Sequence, residues 1–121
     1  MPTVPADKLR EIARRLLTGA GASEEEAGIV SRHSIGANLA GHDSHGIIQG
    51  PIYLDRIRQG DIVPGAPFEL VNETTSSVVV DGHWGFGFVV SEKAMRLVIE
   101  KARVSGVAAG TIAHQSHIGR L

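Results

Sequence analysis

The sequence contains no cysteine among its 121 residues, which excludes a disulfide framework and any thiolate metal site. Its charges are balanced, with 12 basic and 13 acidic residues, and this argues against general electrostatic binding to nucleic acid or anionic membranes. No apolar run approaches the roughly 18 residues that span a bilayer, and the N-terminus lacks the features of a signal peptide. These absences favour a cytoplasmic protein that binds neither nucleic acid nor membrane.

Aromatic residues are also scarce, at 4% of the chain, whereas glycine is abundant with 15 residues. The core should therefore be aliphatic, and turns should be numerous. The length suits one modest domain, which is small for an enzyme that must enclose both a cofactor and a substrate.

Two amphipathic helices are predicted in the N-terminal part. Apolar residues at helical spacing mark residues 9–17 as the first, and Gly19 and Gly21 end it. The second begins at a capping box formed by Ser23 and Glu26, and its body over 27–40 carries small side chains that favour close helix packing. His33 lies off this small-residue face, so we expect a surface histidine rather than a ligand.

The remaining elements alternate helix and strand. The third helix begins at Gly50-Pro51 and ends at Gly60, and residues 61–67 are irregular. Strands are predicted at 68–71 and 76–80, paired as a hairpin and closed by Asp81-Gly82. A long helix then runs to Gly106, and residues 107–113 are predicted as a buried strand that ends in a turn over 115–119. The fold class is α+β.

The segment Gly85-Phe86-Gly87 invites comparison with the dinucleotide-binding fingerprint G-x-G-x-x-G. The third glycine is absent, since Val90 occupies its position. A tight strand-to-helix turn is therefore the favoured interpretation of these two glycines.

The glycine-flanked stretch over residues 41–46 concentrates the groups that move protons. A histidine titrates near neutral pH, so His45 can act as a general acid, and Ser44 can orient its ring if both lie outside a helix. His42 and His45 share the spacing His-x-x-His with His114 and His117. Neither pair encloses the glutamate of the metalloprotease motif, so a metal site is disfavoured, and ordinary loop histidines remain the alternative.

Several motifs, in order and at the right spacing, make the chain resemble the malate/L-lactate dehydrogenase family of the non-Rossmann type. That family also includes ureidoglycolate dehydrogenase, diketogulonate reductase and Δ1-piperideine-2-carboxylate reductase. The similarity extends over nearly the whole chain. The motifs that carry it lie at residues 40–47, 53–57, 60–64, 80–82, 85–87 and 116–119.

The resemblance implies hydride transfer between NAD or NADP and a small 2-oxo or 2-hydroxy acid, in a homodimer. It implies that His45 donates the proton, that Ser44 orients it, that His117 contacts the substrate, and that Gly119 and Arg120 begin a cofactor-binding turn. Residues 1–66 would form a helical N-terminal region, and residues 67–121 the first part of a non-Rossmann α/β cofactor domain. The chain would be the N-terminal portion of such an enzyme and inactive alone.

One position departs from the family pattern. Many members carry an arginine four residues after the proton-donating histidine, suited to gripping a substrate carboxylate, but this sequence has Gln49 there. We expect Gln49 to contact the substrate, although the departure puts the identity of the substrate in doubt. The alternative to an enzyme is a catalytically silent oligomerisation or ligand-binding module that derives from the same family.

Overall fold

A computed structural model describes residues 3–120, and its architecture is the α+β class that the sequence predicts. Met1, Pro2 and Leu121 lie outside the described residues, and the division of the chain after residue 66 stays a prediction. Two single-turn 3₁₀ helices, Asp43–His45 and Ile47–Gln49, connect the second helix to the third. The other elements are α1 Ala6–Gly19, α2 Glu24–Leu39, α3 Gly50–Gln59, β1 Glu69–Glu73, β2 Ser77–Gly85, α4 Gly87–Ser105 and β3 Ala109–Gln115.

The predicted capping box opens α2 and also fixes a distant loop. The hydroxyl of Ser23 accepts a hydrogen bond from the Glu26 amide at 3.1 Å, and Glu26 Oε2 accepts one from the Ser23 amide at 2.8 Å. The second oxygen of the buried Glu26 accepts from the amide of Gly65 at 2.8 Å. One carboxylate thus caps α2 and holds the irregular segment that precedes the sheet.

The apolar stripe of α1 is only partly covered. Ala13 and Leu17 are buried, but Ile12 and Leu16 remain 42% and 51% exposed. None of the described helices combines the length and apolar character that crossing a bilayer requires.

The three strands form one sheet in the order β1-β2-β3. The predicted hairpin is confirmed, since β1 and β2 are antiparallel, and β3 returns parallel to β2 after the crossover through α4. The prediction that Asp81-Gly82 closes β2 is wrong, because β2 continues to Gly85 and pairs Asp81 with Ala113 and Gly85 with Gln115. Between these pairs the register shifts.

The last strand was expected to be buried over residues 107–113, but β3 begins at Ala109 and is mostly exposed. It lies at an edge of the sheet and is covered on one side by α4, through Val98 and Ile112. The strand pattern of the sequence therefore predicts that a strand forms here, but it predicts the wrong burial for that strand.

The described residues form two apolar clusters, and α4 contributes to both. One cluster joins Leu17, Val30 and Tyr53 of the helices to Phe88, and the other packs Val90 against the sheet. His33, expected on the surface, is half-buried instead: its ring stacks on Phe88 at a centroid distance of 5.1 Å. Helix α4 thus connects the helical layer to the sheet.

Candidate active site

The loop between α2 and α3 is held in shape by one asparagine. The amide nitrogen of Asn38 donates to Asp43 Oδ1 at 2.7 Å, and its oxygen accepts from the Ile47 amide at 2.9 Å. A Cβ on Gly46 would lie 2.2 Å from Asn38 Oδ1, so a larger residue at this position would displace the Asn38 side chain. Both ends of the loop around His45 are therefore fixed by a side chain from the last turn of α2.

Ser44 and His45 meet because they lie in a 3₁₀ turn rather than in an α-helix. The hydroxyl oxygen of Ser44 is 3.0 Å from His45 Nδ1, a contact that adjacent residues in the middle of an α-helix could not make. This contact orients the ring and uses Nδ1, which leaves Nε2 available to a substrate. The half-buried ring of His45 thus combines a fixed orientation with access from solvent.

Gln49 lies in the same loop, where its amide nitrogen donates to the backbone oxygen of Ser44 at 2.8 Å. The Gln49 side chain therefore links the end of the loop back to Ser44. Its predicted contact with substrate stays a prediction, and its donor group is already engaged in this structure.

His117 comes from the turn after β3 and faces His45. The two ring centroids are 5.8 Å apart with an interplanar angle of 27°. On its other side, His117 Nδ1 is 2.9 Å from the hydroxyl of the buried Tyr53 on α3. The structure therefore brings together two histidines that are separated by 72 positions in the sequence.

The environment of His117 keeps its ring neutral. Burial lowers the pKa of His117 below 6.5, and the positive charges of His45 and Arg56 lower it further. Burial raises the pKa of Tyr53 to about 12, although Arg56 acts in the opposite direction. A protonated phenol thus faces a neutral imidazole, and this favours donation from Tyr53 to Nδ1 with the ring proton on Nε2.

The turn that carries His117 is anchored to the start of α4. Ser116 accepts a hydrogen bond from the Gly87 amide at 3.0 Å and donates one to the Gly85 carbonyl at 2.9 Å. A Cβ on Gly87 would lie 2.2 Å from the backbone oxygen of Ser116. The two glycines therefore serve a tight turn and a close backbone approach, as the favoured interpretation of the sequence states.

Gly119 and Arg120, the predicted start of the cofactor-binding turn, follow at once. Gly119 has a φ of +66°, and a Cβ there would lie 2.3 Å from the ring of Phe88. Arg120 is exposed and borders a hollow next to Phe88 and Ile118. Their role toward a cofactor stays a prediction.

The two His-x-x-His pairs have different arrangements. His42 lies edge-on to His45 with ring centroids 5.2 Å apart, but His114 turns away from His117 and bonds Asp81 Oδ2 at 2.8 Å. Among residues 3–120, no three His, Asp or Glu side chains come together in an arrangement that would hold a metal ion. The shared spacing therefore does not correspond to a shared geometry.

Sequence reasoning missed the roles of two residues that build this site, Asn38 and Tyr53. A signal existed for Asn38, because a polar side chain on the packed face of α2 needs a hydrogen-bond partner. Tyr53 is the only tyrosine of the chain, and its position one helix beyond the loop offered a weaker signal. The partner of each lies in another element, and no local pattern could identify it.

Two facing imidazoles, one oriented by a serine hydroxyl and one by a phenol, define a site suited to proton transfer to a small polar substrate. The family model for malate/L-lactate dehydrogenase matches residues 4–121, and the chain belongs to this family. This match agrees with the family that the motifs resemble.

Individual relatives support the same assignment. The chain is 40% identical over 116 residues to hydroxycarboxylate dehydrogenase B of Escherichia coli (strain K12), which covers 96% of this chain and 32% of the relative. It therefore spans about a third of the length of the curated relatives that it matches.

Solved structures show the same fold. Malate dehydrogenase from Pyrococcus horikoshii OT3 superposes with a TM-score of 0.95 at 33% identity, over 98% of this chain and 34% of that one. Δ1-Piperideine-2-carboxylate reductase from Pseudomonas syringae pvar. tomato superposes with a TM-score of 0.89 at 30% identity, over 98% and 36%. The α+β fold is thus that of the non-Rossmann family.

Proposed function

We propose that this chain is the N-terminal part of an NAD(P)-dependent oxidoreductase that interconverts a 2-oxo acid and a 2-hydroxy acid, or the corresponding imine and amine. The observation that carries the proposal is the pair of facing rings, His45 oriented by Ser44 and His117 kept neutral beside Tyr53. The family membership and the dehydrogenases among the relatives support it.

His45 performs the proton transfer in this proposal. As the carbonyl carbon is reduced, negative charge develops on the oxygen, and a protonated imidazole within hydrogen-bond reach neutralises it by donating its proton. The hydroxyl of Ser44, 3.0 Å from Nδ1, keeps Nε2 directed at the substrate. In the reverse direction the same ring accepts the proton of the hydroxyl group.

His117 binds the substrate and does not transfer a proton. Because burial lowers its pKa, its ring stays neutral and can donate one hydrogen bond through Nε2 to a substrate oxygen without competing for the proton of His45. Tyr53 fixes this orientation through the 2.9 Å contact at Nδ1. Gln49 contributes its amide oxygen or, after rearrangement, its amide nitrogen to the substrate.

A nicotinamide cofactor, NAD or NADP, would supply or accept the hydride. The residues present fit such a group, because Gly119 allows the backbone to pack closely against Phe88 and the exposed Arg120 offers a guanidinium for a phosphate. These two residues would hold part of the cofactor, and the rest of the binding site would come from other parts of the protein.

The proposal includes a cytoplasmic homodimer. Several large apolar side chains are exposed on the helical layer, among them Leu39 at 66% and Ile48 at 64%. Such a surface needs a covering partner, and a second copy would provide one. Light scattering on the purified protein tests this part of the proposal.

Cofactor binding and turnover by the protein expressed from its complete reading frame test the function. We expect quenching of protein fluorescence by NADH or NADPH, and oxidation of one of them in the presence of pyruvate, oxaloacetate or a cyclic imino acid. Titration with each cofactor separately assigns the preference. Failure to bind either cofactor would contradict the proposal and favour the silent module.

A further inference from the structure

An open hollow of about 430 Å³ borders His117 on the side of α3 and β2. Arg56 and Asp61 line it at the end of α3, and Trp84 and Ser116 line it from the sheet. His117 is therefore shared between this hollow and the pair that it forms with His45. A substrate group that projects beyond the reacting carbonyl would enter the hollow.

Arg56 reaches this hollow because of its position on α3. It follows Tyr53 by three residues, so both side chains lie on the same face of the helix, and Tyr53 contacts His117 directly. Two residues further on, Arg58 bonds Asp55 at 3.1 Å and borders a different surface. Among residues 3–120, Arg56 makes no ion pair, whereas five other arginines do.

The charge of Arg56 acts on both side chains next to the reacting group. It contributes, after burial and His45, to the lowered pKa of His117, and it opposes the raised pKa of Tyr53. A guanidinium that acts on both rings without a carboxylate partner of its own is available to an anion.

The opposite wall of the hollow is held in an unusual conformation. Trp84 has a φ of +61° and its neighbour His83 a φ of +45°, although neither is glycine. Non-glycine residues in this region cost energy and are found where the surrounding structure requires them. The result is an indole, 51% exposed, that lines the same hollow as Arg56.

We propose that Arg56 binds the carboxylate of the substrate and so replaces the arginine that position 49 lacks. The inference rests on the proposed function, since that function supplies the 2-oxo acid. Gln49 is uncharged and engaged with the backbone of Ser44, so position 49 offers no cation, and the hollow beside His117 provides one. Trp84 covers the apolar part of the acid.

Asp61 narrows the class of substrate, because it lines the same hollow with a negative charge. It disfavours a second carboxylate at that end of the substrate. The geometry therefore points to a monocarboxylic 2-oxo acid, or to the corresponding imino acid, rather than to a dicarboxylic acid.

The test compares Arg56→Gln and Arg56→Lys with the matched control Arg58→Gln in the protein expressed from its complete reading frame. We expect Arg56→Gln to raise the KM for the preferred 2-oxo acid about 10- to 100-fold with little change in kcat, the loss expected for a hydrogen-bonded ion pair made equally in the ground and transition states. Arg56→Lys should lie between, and Arg58→Gln should match the native protein. Asp61→Asn should lower the KM for a dicarboxylic acid.

A second measurement separates this inference from the proposed function. Oxamate, a 2-oxo acid mimic that is not reduced, is titrated into each variant by calorimetry with reduced cofactor present. Binding that weakens in Arg56→Gln but not in Arg58→Gln supports the inference. Native turnover with the same KM and oxamate affinity in Arg56→Gln overturns the inference alone. Arg56-dependent oxamate binding without turnover of any 2-oxo acid overturns the dehydrogenase and leaves the carboxylate site.

Discussion

Two groups of histidines in the molecule have partners that differ in kind. His45 and His117 are paired with hydroxyl groups, Ser44 and Tyr53, and lie beside the apolar cluster of the helical layer. His83 and His114 are paired with carboxylates instead, Glu69 at 2.6 Å and Asp81 at 2.8 Å.

The two groups also differ in the main cause of their pKa shifts. In the first, burial lowers the pKa of His117. In the second, the backbone amide of His83 and the ring of His114 lower the pKa of Asp81. A neutral hydroxyl orients a ring and leaves its other nitrogen free to face a substrate, whereas a carboxylate holds the ring in an exposed ion pair of small energetic value. The comparison assigns chemistry to the first group and local structure to the second.

The largest expected effect separates the two groups directly. Replacing the proton donor in His45→Ala should lower kcat about 100- to 10,000-fold, because a general acid contributes that much to a proton-transfer step. Replacing His83→Ala should change kcat less than threefold. Steady-state assays on both variants of the full-length protein, with reduced cofactor and the preferred 2-oxo acid, measure the difference.

Equal losses in the two variants would contradict the division into a chemical and a structural group. Circular dichroism and thermal unfolding should show that both variants fold normally, because neither substitution removes a buried side chain. A His45→Ala variant that folds normally and retains native kcat would leave the proton donor unassigned.

The next prediction concerns the loop that holds His45 of the first group. Gly46→Ala should force the loop away from Asn38, since the new Cβ would meet Oδ1 at 2.2 Å, and we expect a loss of about 1–3 kcal/mol of stability together with most of the activity. Urea unfolding and the same assay measure both quantities.

Gly36→Ala provides the matched control on α2, where a Cβ meets nothing within 4 Å. It should stabilise the helix by about 0.5–1 kcal/mol and leave activity unchanged. An unchanged stability in Gly46→Ala would show that Asn38 can move and does not fix the loop.

The sequence predicts the backbone of this chain better than the environments of its side chains. Caps and glycines mark element ends, so the capping box at Ser23 and the ends of α3 and α4 at Gly60 and Gly106 are found from local pattern alone. The strand that continues past Asp81-Gly82 was missed because its partner, β3, comes 28 residues later. Its continuation therefore depends on a contact that no local signal encodes.

The candidate site shows the same limit. The motif around His45 and the resemblance to a family identify the two facing histidines, but the His-x-x-His spacing does not indicate that His45 and His117 meet. The contacts of His117 with Tyr53 and His45 depend on how α3 and β3 are placed in space. Asn38 and Arg56 are ordinary helix residues by pattern, and only the fold shows what each faces.

A smaller effect is expected at Glu92, whose carboxylate contacts both His33 and arginine side chains. Burial opposes ionisation, but hydrogen bonds from His33 and then from Arg32 and Arg96 outweigh it and lower the pKa of Glu92 to about 2. Glu92→Gln should therefore cost about 1–3 kcal/mol at neutral pH. Because the folded pKa lies below the unfolded one, the difference should shrink as the pH falls from about 4.5 towards 2.

Urea unfolding of the native protein and Glu92→Gln at several pH values measures this dependence. Glu100→Gln, an exposed change on the same helix, should shift stability by less than about 0.5 kcal/mol. A cost at Glu92 that persists undiminished at pH 2 would show that packing rather than charge holds His33 and Phe88 in place.

The smallest effect concerns the titration of His117 itself. Its folded pKa lies below 6.5, so between that value and 6.5 the unfolded chain binds a proton that the folded chain does not, and stability should rise with pH through this window. Histidine-selective NMR should show the His117 resonance titrating below 6.5. Arg56→Gln removes one of the three causes of the lowered pKa, so it should move the midpoint upward only in part, since burial and His45 remain. A midpoint that does not move would place the charge of Arg56 too far from His117 to act on the substrate group beside it.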